Sequence, residues 1–331
     1  MGRLALTLAC GDYDRTRALA DGRVLVEGVD LRFLSLEPEE TFFRMVRHRE
    51  FDAAELSLST YVLTLQEGAP FVALPVFPSR AFRHNGIYVN TSAGINRPED
   101  LVGRRVGVAE YQLTANVWIR GILQEYHGLP AGSVLYVTGG LHEPGREEKL
   151  ALDGLPEDVD VSACPAGRTL ADLLVAGEID ALYTPRVPRP FLDRHPGVAR
   201  LFADARAAEE AYFAVTGIFP IMHVLALRRE VYEANRWLAA SLVKAFTRAR
   251  DLAMAGLEET AAYPLVLPWA YEDVARIRAT MGDDYWSYGL DAANETALRT
   301  FLRYSREQGL AKEDWAPRDL FAPETLERAT I

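Results

Sequence analysis

Read as a series of apolar and polar positions, the chain alternates short β-branched runs with longer stretches at three-to-four spacing, which predicts a strand–helix repeat. Leu4–Cys10 is a first apolar strand, closed by the polar turn Gly11-Asp12-Tyr13-Asp14-Arg15-Thr16. Arg23–Val26 and Val29–Leu34 read as two short strands around Glu27-Gly28, and a helix with an acidic first turn starts at Pro38. Phe51–Thr60 is a strand running into Glu55, Ser57 and Ser59, after which a helix carries Tyr61, Leu63 and Leu65. Phe71–Phe77 and Ile87–Asn90 are further strands, separated by Pro78-Ser79-Arg80-Ala81-Phe82-Arg83-His84-Asn85-Gly86.

The stretch from Gly103 to Gly121 carries the clearest strand-to-helix signal. Arg105–Ala109 predicts a buried strand, and Ala115, Trp118, Ile119, Ile122 and Leu123 predict one apolar helix face, with Thr114 or Gln112 as its N-cap. Glu110, Tyr111, Gln112 and Thr114 lie between them, where free N–H groups and the positive end of the helix dipole suit a small anion. Val134–Thr138 is the next strand. The Gly-rich loop Gly139–Arg146 lacks the Lys-Ser/Thr ending of a phosphate loop and reads as a lid or rim, and 150–165 is polar and turn-rich. A short helix over Thr169–Gly177 leads into the strand Glu178–Tyr183, whose three following prolines predict an extended rim presenting Arg186 and Arg189. Val198–Phe202 and Val224–Leu227 are strands, and the rest is helical: Trp237–Leu257 with Leu238, Leu242, Ala245, Phe246 and Ala249 inward, Tyr271–Thr280, and Ala292–Gln308. An aromatic loop, Met281–Gly289, offers Tyr285, Trp286 and Tyr288 as walls for an aromatic ligand or as core.

Composition narrows the function classes. A length of 331 residues suits two lobes, and 49% hydrophobic with 25% charged residues is the balance of a globular protein. A net charge of −11 argues against nucleic acid and anionic membranes as partners, so an anionic ligand needs locally placed arginines. Leu4–Cys10 is too short for a signal-peptide core and no run reaches a membrane span, which predicts a cytoplasmic protein. Cys10 and Cys164 read as free thiols, and no zinc-ligand spacing is present in the sequence.

Chain crossings near Ser79–Asn85 and Ala214–His223 predict a discontinuous lobe of residues 1–83 and 217–331 with an inserted lobe of 84–216. This arrangement resembles the type II periplasmic solute-binding proteins, an α/β fold of two lobes with a hinge and an interlobe cleft. More narrowly, LACGDYDRTRAL, FDAAELSLSTY, PVFPSRAFRHNGIYVN, VGVAEYQLTANVWIRG, LYTPRVP and FPIMHVLALRREVYE resemble the 4,5-dihydroxyphthalate decarboxylase family over nearly the whole chain. The resemblance implies a carboxy-lyase acting on a small aromatic dicarboxylate, without an organic cofactor or a required metal. Such an enzyme must hold the retained carboxylate and protonate the ring carbon that loses the other. On that basis Arg80, Arg83 and Arg186 are expected to grip carboxylate, with Asp12, Tyr13, Arg15, Ser57, Tyr111 and Trp286 around the substrate. Glu55 or Glu110 is the expected acid if burial raises its pKa, His84, His223 or Asp12 the expected partners of the hydroxyls, and Thr114 with its helix start the expected anion contact. A non-catalytic solute receptor for a small carboxylate is the alternative. The long C-terminal helices can pack within a lobe or against a second copy, which leaves a homo-oligomer open.

Overall fold

The computed structural model describes residues 2–262 and 265–326. The chain divides into two compact units, one built from Met1–Arg80, Thr216–Leu298 and Trp315–Ile331, the other from Ala81–Val215 and Arg299–Asp314. Arg299–Asp314, which the chain crossings assign to the first lobe, packs with the second unit.

In chain order the first unit opens with β1 (Leu4–Cys10), α1 (Asp14–Ala20), β2 (Val29–Ser35), α2 (Pro38–His48), β3 (Ala53–Ser57), α3 (Leu58–Leu65) and β4 (Phe71–Leu74). The second unit follows with β5 (Ile87–Asn90), β6 (Arg105–Val108), α4 (Thr114–His127), β7 (Leu135–Thr138), β8 (Asp160–Ala163), α5 (Leu170–Ala176), β9 (Ala181–Tyr183), α6 (Arg189–Leu192), β10 (Val198–Arg200) and α7 (Ala205–Thr216). The chain then returns through β11 (His223–Arg228), α8 (Arg229–Ala234), α9 (Trp237–Gly256), α10 (Ala270–Met281) and α11 (Ala292–Glu307).

The first unit holds a five-stranded sheet in the order β2-β1-β3-β11-β4, in which β1 runs parallel to β2 and β3 while β11 is antiparallel to β3 and β4. Its core joins Leu6, Leu8, Val29, Val72 and Leu225 of the sheet to Leu238, Leu242, Ala245, Phe246 and Ala249 of α9, the five helix positions whose spacing marked them as inward. The second unit's sheet runs β10-β5-β9-β6-β7-β8, with parallel pairing from β9 through β8 and antiparallel pairing of β5 with β9 and β10.

Several local expectations give way to packing. Arg23–Val26 is irregular and not a strand: Val24 and Val26 are buried in the core, but Leu25 is exposed and the segment joins no sheet. The polar stretch before Pro165 yields β8, a solvated edge strand paired only with β7. The three prolines near Arg189 permit the single helical turn α6, because Pro190 falls in its first turn, where no N–H is needed.

Candidate active site

The first unit gathers its polar groups at the carboxyl ends of β1 and β3. Glu55 stands on the central strand β3, fully buried, opposite Leu225, while His223 at the start of β11 stands opposite Ser57. Residues two apart on an antiparallel pair share a face and lie within reach of long side chains. The pairing register therefore delivers the His223 imidazole to Glu55, and Nδ1 lies 2.6 Å from Oε1.

Three more donors close on the same carboxylate. The Gly11 N–H donates to Oε2 at 3.0 Å, the Cys10 thiol at 3.4 Å, and the Tyr13 hydroxyl donates to Oε1 at 3.0 Å. Tyr13 reaches back because Gly11 has no side chain: a Cβ there would stand 2.3 Å from the Tyr13 ring. Burial by itself would push the Glu55 carboxyl up, but the His223 charge and hydrogen bond, the Gly11 N–H and the Tyr13 hydroxyl together hold it below the usual carboxylate range. Burial, followed by the Glu55 charge, pushes the Cys10 thiol well up, so it stays a protonated donor. The expected raised pKa of Glu55 is thus reversed. Glu55 is therefore ionised and accepts from the Nδ1–H of His223, which leaves Nε2 on the other side of the ring. Nε2 makes no hydrogen bond among the described residues, the side chain retains 17% exposure, and Phe42 packs edge-on against the imidazole at 4.9 Å.

Beside this pair lies a cation between two rings. The Arg15 guanidinium sits 4.1 Å from the centroid of Tyr13 and 4.4 Å from that of Trp286, with Nε donating to Pro78 O at 2.6 Å and Nη1 to Asp14 at 3.1 Å. Nη2 has no hydrogen-bond partner among the described residues. Trp286 is itself fixed by its indole N–H, which donates to Phe77 O at 3.1 Å. A stacked, oriented guanidinium with a spare donor edge suits a carboxylate on an aromatic ring.

Other expected site residues have different employment. Arg80 is buried and spends its guanidinium on Phe219 O, Ser287 O and Asn294 Oδ1, with burial lowering it to about 10; it ties loops of the first unit together and offers no carboxylate clamp. Arg83 is half-buried, its pKa lowered to about 10 by burial against the opposing Glu209 charge. His84 is a core imidazole between Phe202 and Tyr212, pushed down to about 4 by burial and then by His127, and is therefore neutral. Asp12 is a solvated turn residue paired with Arg17, and Arg186 lies on an exposed segment. Ser57 is buried at the end of β3.

The turn between β6 and α4 also differs from expectation. The N-cap is Leu113, without a side-chain cap, and Thr114 is the first helical residue. Tyr111 is fully buried against the Arg120 guanidinium, 3.7 Å from its centroid. Glu110 is buried in an ion cluster, 2.6 Å from Arg146 Nη2 and 2.5 Å from Lys149 Nζ, so both cations occupy the carboxylate expected to act as an acid. The anion seated at this turn is the chain's own: Glu148 accepts from the Tyr111 N–H at 2.5 Å and from Gln112 Nε2 at 3.0 Å. Its tight packing escaped the sequence because a Glu-Glu-Lys run in a polar loop has no periodicity to expose it. Among the described residues no group of three or more His, Cys, Asp and Glu is arranged to hold a metal ion, and no helix is long and apolar enough to cross a membrane.

The comparisons with known proteins meet this geometry at the level of family. Over 332 aligned residues, the whole of both chains, the sequence is 44% identical to 4,5-dihydroxyphthalate decarboxylase of Comamonas testosteroni. The chain belongs to the 4,5-dihydroxyphthalate decarboxylase family. A second member, 4,5-dihydroxyphthalate decarboxylase of Pseudomonas putida, is 48% identical over 64% of this chain and 83% of its own. Residues 26–143 match the family described as NMT1/THI5 like. Among solved structures, the periplasmic aliphatic sulphonate binding protein SsuA from Escherichia coli superimposes with a TM-score of 0.54 over 98% of this chain and 99% of its own, at 14% identity. The fold of this decarboxylase family member is that of the periplasmic solute-binding proteins.

Proposed function

We propose that this chain is a carboxy-lyase that converts a hydroxylated aromatic dicarboxylate, 4,5-dihydroxyphthalate, to protocatechuate. The observation that carries the reading is full-length kinship at 44% identity to a decarboxylase of that name. The first unit supplies groups suited to the chemistry. In the ground state the substrate presents two carboxylates and a hydroxyl para to each. Arg15 takes the retained carboxylate at its spare edge, stacked between Tyr13 and Trp286. His223, held at Nδ1 by Glu55 and acting as the imidazolium, gives its Nε2 proton to the ring carbon that bears the departing carboxylate, while the para hydroxyl feeds electron density to that carbon. A C–H bond forms, the C–C bond to the carboxylate breaks, its electron pair restores the aromatic ring, and carbon dioxide leaves. Water then reprotonates His223. Glu55 positions the imidazole and Tyr13 positions Glu55; neither donates to the ring.

Such a reaction takes an aromatic dicarboxylate into a catecholic acid, a degradative step, and two free thiols suit the reducing interior of a cell. The test is to incubate purified protein with 4,5-dihydroxyphthalate and follow carbon dioxide and protocatechuate. Product from the wild type, cut by about 10²-fold or more in His223→Gln, is the expected result. Ligand-dependent thermal stabilisation without product replaces the enzyme with a binding protein of the same fold.

A further inference from the structure

Parallel strands β7 and β8 are joined by residues 139–159, a crossover without a helix or strand of its own. Irregular connections of that length in compact domains are uncommon and are either functional, as lids or binding loops, or linker segments. The middle of this strap is pinned to the turn between β6 and α4 by charge. Arg146 and Lys149 hold Glu110, the Lys149 N–H donates to Glu110 Oε2 at 3.3 Å, and Gln112 Nε2 donates to Leu150 O at 3.1 Å as well as to Glu148. The turn is left short of donors in one respect. Gln112 Oε1 and Asn116 Oδ1 are both buried and, among the described residues, neither has a hydrogen-bond partner. Flipping the Gln112 amide does not help, since its oxygen would then face the Glu148 carboxylate.

We propose that this turn is a binding site for a carboxylate that also carries hydroxyl groups, and that Glu148 is an internal stand-in which holds the strap shut until such a ligand displaces it. The ligand's carboxylate takes the Tyr111 N–H and Gln112 Nε2 from Glu148, and its hydroxyls supply the donors that Gln112 Oε1 and Asn116 Oδ1 lack. Naming a hydroxylated aromatic acid as that ligand rests on the decarboxylase reading above; the strap and its latch do not.

The experiment is limited trypsin digestion of the full-length chain, with mass spectrometry scoring the Lys149–Leu150 bond. Lys149 is nearly buried in the latch, at 13% side-chain exposure, so cleavage there reports release. The probe is protocatechuate, a carboxylate with two hydroxyls. Cleavage several-fold faster with protocatechuate in the wild type, and several-fold faster in Glu148→Gln without it, is the expected result. Unchanged or slower cleavage with the probe overturns the displacement, and an unchanged rate in Glu148→Gln overturns the latch. Should Glu148→Gln not fold, the wild-type comparison decides. Turnover of 4,5-dihydroxyphthalate is measured in parallel: a wild type that releases no carbon dioxide yet loosens its strap removes the decarboxylase reading and leaves the strap standing.

Discussion

At the scale of single residues the first unit's site rests on one ionised carboxylate with four donors. A buried ion pair broken by loss of one partner leaves an uncompensated charge, and the cost is about 3–5 kcal/mol. Glu55→Gln removes the carboxylate that His223 Nδ1 faces, so kcat should fall by about 10²-fold, while substrate affinity, which the proposal assigns to Arg15, should change little. The same substitution has a signature in stability against pH. Because the folded Glu55 is held below its ordinary value, its contribution is complete above the unfolded carboxylate pKa, about 4.3, and is lost as pH falls through the lower folded value. Urea unfolding between about pH 3 and pH 6 should therefore give a steeper acid loss in the wild type than in Glu55→Gln; parallel curves would mean that Glu55 is not the depressed group. The residues of this constellation are legible in the sequence for separate reasons: Tyr13 and Arg15 follow the first strand, Glu55 is a carboxylate amid Ala53, Ala54 and Leu56 that needs a partner if buried, and His223 is expected only to serve the hydroxyls. The protonation state of Glu55 is not legible there, because the sign of a buried carboxyl's shift depends on donors that arrive from residues 10–13 and 223.

At the scale of elements, the junction of β1 and α1 sets the geometry. Gly11 lets the Tyr13 ring fold over the strand end, and Thr16 locks the turn by donating to Gly11 O at 2.9 Å. Gly11→Ala puts a methyl 2.3 Å from that ring, so the ring must swing away and take its hydroxyl from Glu55 and its face from Arg15. The expected outcome is a kcat loss of tenfold or more together with about 1–3 kcal/mol of destabilisation, measured by turnover and denaturant unfolding. Full activity in this variant would show that Tyr13 has no part in holding the pair. Strong periodicity made most elements readable, α4 and α9 above all, whose apolar positions are buried as expected. The failures share a cause. Arg23–Val26 and the segment before Pro165 are decided by what they pack beside, and a solvated edge strand such as β8 carries no apolar alternation to find. Arg80 misled for a related reason: a guanidinium between prolines and aromatics looks like a ligand clamp, and only the positions of Phe219, Ser287 and Asn294 reveal it as a brace.

At the scale of the whole molecule, charge governs encounter. The protein carries a net charge of −11, and the proposed substrate is a dianion, so the long-range interaction is repulsive even where the proposed contact with Arg15 is attractive. Repulsion acts over roughly a Debye length, about 30 Å at 0.01 M ionic strength and about 8 Å at 0.15 M. The Arg15 guanidinium is partly shielded from solvent by Tyr13 and Trp286, with 17% of its side chain exposed, so the proposed contact is screened far less than the field of distant carboxylates. Added salt should therefore remove more repulsion than attraction. Raising sodium chloride across this range is expected to increase kcat/KM, by about twofold, chiefly through a lower KM. A basic enzyme with the same substrate would show the opposite slope. If kcat/KM instead falls steeply with salt, local guanidiniums dominate capture from long range, and the view that this acidic molecule recognises its anion only at contact is wrong.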